Sequence, residues 1–231
     1  MPTCEHCASR KLNPFNFCNL DELSRISDNK SCSVYQRGQV IFQQGSNPIG
    51  LFCINSGKVK VYKHGSDGKE QIVRIAKPGD FVGYRTLLAE SQYSAYAAAL
   101  DETTICLIPR QEFFSLMNAN KRVSDAMTKM LCRNLREAEE KMVDLAYTPV
   151  RGRVAEALLL LKKSYRNSEN ETEKVVIPIL RKDLASLVGT AQESVIRLLS
   201  EFKDENLIEI NGRKITILDS KGLLRISNLY D

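Results

Sequence analysis

Two periodicities divide the chain. Between about Val34 and Pro109, short apolar runs rich in β-branched and aromatic residues are separated by glycine: Gln39 to Phe42, Gly50 to Asn55, Lys58 to Lys63, Gln71 to Ile75 and Thr103 to Ile108. These runs predict strands, because branched side chains pack well on a pleated surface and the intervening Gly38, Gly45, Gly57, Gly65, Gly68, Gly79 and Gly83 supply turns. Lys58, Lys60 and Tyr62 alternate with Val59, Val61 and Lys63, which predicts one solvated face. Several short strands at even spacing predict a β-sandwich or jelly-roll barrel over residues 23–110, the size of a sensor domain. From about Gln111 the period becomes helical, with no glycine or proline before Pro149. Leu131, Leu135, Ala138, Met142 and Leu145 recur at steps of four and three, while Arg133, Arg136, Glu137, Glu139, Glu140 and Lys141 lie off that stripe. A long helix over 111–146 follows. Its stripe suits either its own domain or a second copy of the chain; a helix leaving a β-domain has little of its own chain to cover, so a homodimer is expected.

A further helix is predicted over Val150 to Tyr165, with Val154, Leu158 and Leu161 on its apolar face, and then a polar loop from Arg166 to Lys174. The segment Arg181 to Ser200, RKDLASLVGTAQESVIRLLS, meets several demands of a helix-turn-helix together. Ala185 is small where two helices cross, Gly189 permits the positive φ of the turn, and Leu184, Val188, Val195 and Leu198 supply a shared core. The second helix is expected from about Ala191 to Phe202. Leu207 to Leu218 is two alternating runs around Asn211-Gly212, a strong hairpin signal, and reads as a wing with Arg213 and Lys214 at or next to its tip. Residues 147–231 are therefore expected to form a winged helix-turn-helix. Gln192, Glu193, Ile196 and Arg197 lie away from the core aliphatics and suit base edges: Arg pairs with guanine, Glu accepts from cytosine, Gln reads adenine and Ile packs on a thymine methyl. Ser194 and Ser200 suit phosphate oxygens, as do Arg213 and Lys214.

Composition adds little beyond this. The 231 residues carry 33 Lys and Arg against 28 Asp and Glu, a formal net charge of +5 that suits a polyanionic partner. No stretch approaches the roughly 20 apolar residues of a membrane helix, and Met1 to Cys7 lacks the basic and apolar regions of a secretory signal, so a cytoplasmic protein without a membrane partner is expected. Seven cysteines in such a chain are expected to be thiols or metal ligands in preference to disulfides. Only two histidines are present, His6 and His64, too few for a cupin-type metalloenzyme on the same barrel, and no nucleophile-base pair or phosphate loop is seen. An enzyme is not expected.

A β-barrel, a long helix and a winged helix in that order resemble the CRP/FNR family of bacterial transcription regulators. Three segments carry the resemblance: Lys77-Pro78-Gly79-Asp80-Phe81-Val82-Gly83, Leu51 to Tyr62, and Gln192-Glu193-Ser194-Val195-Ile196-Arg197. The resemblance implies an α+β fold in which a cyclic-nucleotide-binding-like jelly roll, a dimerisation helix and a winged helix-turn-helix serve a homodimer on palindromic double-stranded DNA. It also implies RNA polymerase as a partner, with Glu193 and Arg197 reading a C:G pair and a guanine in each half-site. The family's cyclic AMP cassette, however, places a glutamate after its glycine and later an Arg-Ser pair. Here the positions hold Tyr84 after Gly83, and Tyr93-Ser94, so control by cyclic AMP is not expected. Gly83, Tyr84, Arg85, Tyr93 and Ser94 remain a weak candidate pocket for another small effector.

Cys4-Glu5-His6-Cys7, with Cys18 downstream and Cys106 on the last barrel strand, is similar to the oxygen-sensing FNR branch of the family. There, three N-terminal cysteines and one on this strand hold a [4Fe-4S] cluster through four thiolates. The resemblance makes the arm of residues 1–22 and Cys106 a candidate cofactor and metal site. The gap from Cys7 to Cys18 is longer than the FNR spacing, Cys32 competes for the third position, and zinc or plain thiol redox sensing are the alternatives. Cys53 and Cys132 are expected to be small buried hydrophobes.

Overall fold

The computed structural model describes residues 3–166 and 175–227. The predicted loop from Arg166 to Lys174 lies, apart from Arg166, outside the described residues. Elements follow in chain order: α1 (Leu20–Asn29), β1 (Ser31–Tyr35), β2 (Val40–Phe42), β3 (Gly50–Ser56), β4 (Val59–His64), β5 (Glu70–Ala76), β6 (Phe81–Val82), α2 (Tyr84–Leu88), β7 (Tyr96–Ala99), β8 (Thr103–Pro109), α3 (Arg110–Ala119), α4 (Lys121–Tyr147), α5 (Val150–Tyr165), β9 (Val176–Pro178), α6 (Arg181–Val188), α7 (Gln192–Asp204), β10 (Ile208–Asn211), β11 (Lys214–Ile217) and α8 (Ser220–Ser227). Contacts divide them into two compact units that meet within α4 between Glu137 and Ala138, the β4–β5 turn segment His64–Ile72 grouping with the second.

The first unit is a two-sheet barrel, with strand orders β1-β8-β3-β6 and β2-β7-β4-β5. All five predicted strands form. The expected wet face of β4 does not, since Lys58 just before it and Tyr62 within it are buried. Lys58 is held there by its amide, which donates to Asp101 Oδ1 at 2.6 Å, and burial lowers its pKa. One core, with Phe42, Phe52, Ile54, Val59, Val82 and Tyr93, fills the space between the sheets. A second gathers Phe15 of the arm, Leu23 and Ile26 of α1, Phe81, Phe113 and Leu116, and Val123 and Met127 of α4. Two 3₁₀ turns, Ala8–Leu12 and Pro14–Phe17, lead into α1. Asn19 and Glu22 begin α1 with reciprocal side-chain bonds to backbone amides, a capping box.

The predicted single helix over 111–146 is two helices. Asn120 ends α3 in extended backbone, and its side chain then accepts from the Val123 amide to start α4. Leu135 (61 % exposed), Met142 (68 %) and Ala138 of the expected seam are exposed, whereas Leu131 packs partly on the second core and Leu145 lies against Gly189.

In the second unit, Val154, Leu158 and Leu161 of α5 and Leu184, Val188, Val195, Leu198 and Phe202 of α6 and α7 are buried. β10 pairs with β11, and β9, which the sequence pattern did not single out, adds a third strand on the other side of β11. The fold is the α+β arrangement expected: β-domain, long helix, winged helix-turn-helix.

Candidate nucleic-acid interface and thiol pocket

Gly189 ends α6 at φ +74°, ψ 51°, a left-handed conformation that costs most side chains about 1–2 kcal/mol. This turn lets α7 cross α6 over Ala185, which is 4 % exposed. Packing Val195, Leu198, Leu199 and Phe202 inward leaves Gln192, Glu193, Ile196, Arg197 and Ser200 exposed on one side, with Ser194 half-buried. No side chain caps α7 at Ala191, so its first amides keep donors for an anion. All the predicted base readers thus fall on a single accessible surface.

Charge on this surface is organised by residues that the sequence reading did not include. Arg197 Nη1 donates to Glu201 Oε1 one turn on, at 2.7 Å, and Glu201 Oε2 accepts from Arg151 Nη1 of α5 at 2.8 Å. Arg151 Nη2 in turn meets both oxygens of Glu205 at 2.6 and 2.7 Å. The i, i+4 spacing of Arg197 and Glu201 was the one local signal for this chain of ion pairs.

The wing turns one position later than expected. Asn211 pairs with Lys214, so Gly212 and Arg213 form the two-residue loop, with Gly212 at φ +56°. Arg213 is at the tip, Lys214 opens β11, and both are exposed. Arg181, at the start of α6, donates from Nη2 to the Gly212 carbonyl at 3.0 Å, and burial lowers its pKa.

In the first unit, Cys4, Cys7, Cys53 and Cys106 line one small cavity, about 20 Å³, together with Arg10, Asn13, Phe15, Lys30, Asn55 and Ile108. Lys30 Nζ donates to Cys4 Sγ at 3.2 Å, Cys7 Sγ lies 3.2 Å from Ser9 Oγ, and Asn13 Nδ2 is 3.9 Å from Cys53 Sγ. Three of the four predicted thiol ligands therefore share a pocket, and Cys18 is not among its walls. Cys18 packs on the neighbouring core, where burial pushes its thiol up to about 12. Cys53, expected to be an inert hydrophobe, lines the pocket in its place, and burial also raises its pKa. Cys132, expected to be buried, is exposed on α4. The expectation of thiols throughout is corrected as well, because Cys32 and Cys106 are joined in a disulfide across β1 and β8.

The cluster implied by the resemblance does not fit the cysteines as placed. Cys106 is committed to Cys32, Cys18 is away from the cavity, and about 20 Å³ is room for a water-sized body. Among the described residues no group of three Cys, His, Asp or Glu is placed to hold a metal ion.

The weak effector site is largely packed. Tyr84 is buried with its hydroxyl accepting from Asn134 Nδ2, and Tyr93 is buried with its ring stacked on Phe42 at 4.0 Å. Gly83 lies against Tyr93, while Arg85 and Ser94 are exposed.

A signal-sized β-barrel followed by a long helix and a winged helix-turn-helix defines a DNA-binding transcription regulator. The chain matches the cyclic nucleotide-binding domain over residues 33–120 and the Crp-like helix-turn-helix domain over 152–226. It is 29 % identical to the CRP-like cAMP-activated global transcriptional regulator of Mycobacterium tuberculosis, over 83 % of this chain and 85 % of that one. It is 27 % identical to the anaerobic regulatory protein of Haemophilus influenzae, over 97 % of this chain and 87 % of that one. Its fold is that of a CRP/FNR-family regulator from Eubacterium rectale, with a TM-score of 0.73 and 21 % identity over 92 % and 96 % of the two chains. The chain belongs to the CRP/FNR family of transcription regulators. It is a regulator and not an enzyme, and among the described residues no helix is long and apolar enough to cross a membrane.

Proposed function

We propose that the chain works as a homodimer on palindromic operator DNA and that thiol chemistry between its N-terminal arm and its barrel sets operator affinity. The observation that carries the signal is the gathering of Cys4 and Cys7 from the arm with Cys53 and Cys106 from the barrel around one cavity. Cysteines far apart in a chain and brought to one small space are suited to thiol redox chemistry. The exposed α4 residues Leu135, Ala138, Met142 and Leu145 supply the pairing stripe, and RNA polymerase is the further partner that the family adds. On each half-site Arg197 and Glu193 read base edges, Gln192 and Ile196 add contacts, and Ser194, Arg213 and Lys214 meet phosphates.

A [4Fe-4S] cluster on Cys4, Cys7, Cys18 and Cys106 requires Cys106 to leave Cys32 and Cys18 to reach the pocket. Iron and sulfide analysis of anaerobically purified protein decides it: a brown preparation with broad absorbance near about 400 nm supports the cluster, and a colourless, iron-free one removes it. The regulator reading is tested by selection from random DNA with reduced and oxidised protein. Expected is a palindrome with half-sites about one helical turn apart, bound with different affinity in the two states. No enrichment in either state refutes DNA recognition; equal affinity in both refutes thiol control.

A further inference from the structure

Cys106 has a cysteine directly across from it on each side. In the sheet β1-β8-β3-β6, β8 lies between β1 and β3, and the register sets Cys106 opposite Cys32 and opposite Cys53. Directly opposed residues on adjacent strands project from the same face, so the three side chains stand in one row. This is the face covered by the arm, since Cys53 and Cys106 share their cavity with Cys4 and Cys7. Within the row, the bond joins Cys32 and Cys106, whose Cα atoms are 4.1 Å apart.

The two neighbours of Cys106 differ in reach. Cys32 sits on the edge strand β1, partly exposed between the exposed Ser31 and Ser33, where a thiol or disulfide from solution can meet it. Cys53 lies on the inner strand β3, and its raised pKa keeps it as the unreactive thiol. Disulfides in intracellular proteins of ordinary organisms are mostly transient and redox-active.

We propose that Cys32 and Cys106 form a reversible dithiol–disulfide couple that ties up the Cys106 thiol in the pocket wall on oxidation and frees it on reduction. The consequence for regulation rests on the reading of that pocket as the signal site. The oxidant is a low-molecular-weight disulfide, RS–SR. The Cys32 thiolate attacks one of its sulfurs and releases RS⁻, forming a mixed disulfide; the Cys106 thiolate then attacks the Cys32 sulfur and releases the second RS⁻. The two protons lost by the cysteines end on two RSH, and the two electrons have passed to the small disulfide. Reduction runs the same steps backwards. Oxidised, the pocket wall holds Cys4, Cys7 and Cys53 as free thiols beside the bonded Cys106; reduced, Cys106 adds a fourth thiol.

The test is peptide mapping of the full chain equilibrated in glutathione buffers of stepped reduced-to-oxidised ratio, alkylated and cut with trypsin. Cleavage after lysine and arginine places Cys32 in residues 31–37, Cys53 in 38–58 and Cys106 in 86–110, so each pairing has its own cross-linked product. Expected is a 31–37/86–110 pair that grows with the oxidised fraction and disappears in excess glutathione without denaturant. Cys53→Ser should leave its midpoint in place, and Cys32→Ser should leave Cys106 alkylated at every ratio. The wild-type titration stands by itself should either variant fail to fold. Absence of the pair at every ratio, its persistence in excess thiol, or a dominant 38–58/86–110 pair overturns the couple. The mapping needs neither DNA nor iron: a failed couple leaves the regulator reading standing, whereas a working couple with no effect on DNA affinity refutes the regulatory reading alone.

Discussion

Arg197→Ala tests the recognition surface where the structure allows its cost to folding to be separated from its cost to binding. The side chain is 68 % exposed and its polar contact is the Glu201 carboxylate at 2.7 Å. An exposed i, i+4 pair contributes about 0.3–0.5 kcal/mol, so the denaturation midpoint should barely move. A bidentate pair with guanine is worth about 1–3 kcal/mol, and a palindrome is read twice, so loss at the full operator sums to about 2–6 kcal/mol, roughly 30-fold or more in Kd. Glu193→Ala should cost about 1–3 kcal/mol per half-site in the same way. Glu201→Gln is the internal control. It releases Arg197 from its partner while Arg151 keeps Glu205, and should change operator affinity by no more than about threefold. Fluorescence anisotropy at one fixed salt concentration, on the selected palindrome and on variants of each base pair, reads these changes. Unchanged affinity and selectivity in both Arg197→Ala and Glu193→Ala would show that α7 is not the reader.

A glutamate at Ala138 or Met142 should yield monomers by light scattering and abolish tight binding to the palindrome; a stable dimer in both variants places the interface elsewhere. With its pKa at about 12, Cys18 has roughly a thousandth of the thiolate of an ordinary thiol of pKa 9 at pH 8, partly offset by the higher nucleophilicity of a more basic thiolate, so it should be alkylated roughly thirtyfold more slowly, and faster as pH rises toward 12. Iodoacetamide labelling followed by mass spectrometry compares it with the exposed Cys132, and equal rates would refute the burial argument.

Local chemistry made most of the fold legible. The β-branched and aromatic run Val59 to Tyr62, the Gly189 turn and the two runs around Asn211-Gly212 each encode their element within a few residues, although the solvated face read from Lys58 to Lys63 does not form. Strands β6 and β7 carried no such signal: Phe81-Val82 is two residues long, and Tyr96–Ala99 is mostly alanine, a poor strand former placed by its neighbours. The break at Asn120 lay in a segment without glycine or proline, and the asparagine cap is what makes it. At the interface, the outward positions of α7 followed from helical period, but Arg151 did not, because it reaches Glu201 from 50 residues away. The thiol pocket shows the same limit. Cys4 and Cys7 stand out by spacing, yet Cys53 sits inside Leu51-Phe52-Cys53-Ile54 like any core residue, and Cys32 and Cys106 are 74 positions apart. Only strand register puts them side by side.

The bond from Arg181 to the Gly212 carbonyl has a metrical consequence. It braces the tip of the hairpin against the first turn of α6, so the two ends of the DNA-reading module behave as the fixed jaws of a caliper. In the proposed complex, the distance from the base edges under α7 to the phosphates under the hairpin tip is then set by protein and not by DNA. One extra base pair within a half-site lengthens the duplex by about 3.4 Å, and a braced module must give up one jaw or the other. Tolerance to changes between half-sites is a separate matter, governed in the proposed homodimer by how two copies of α4 pair.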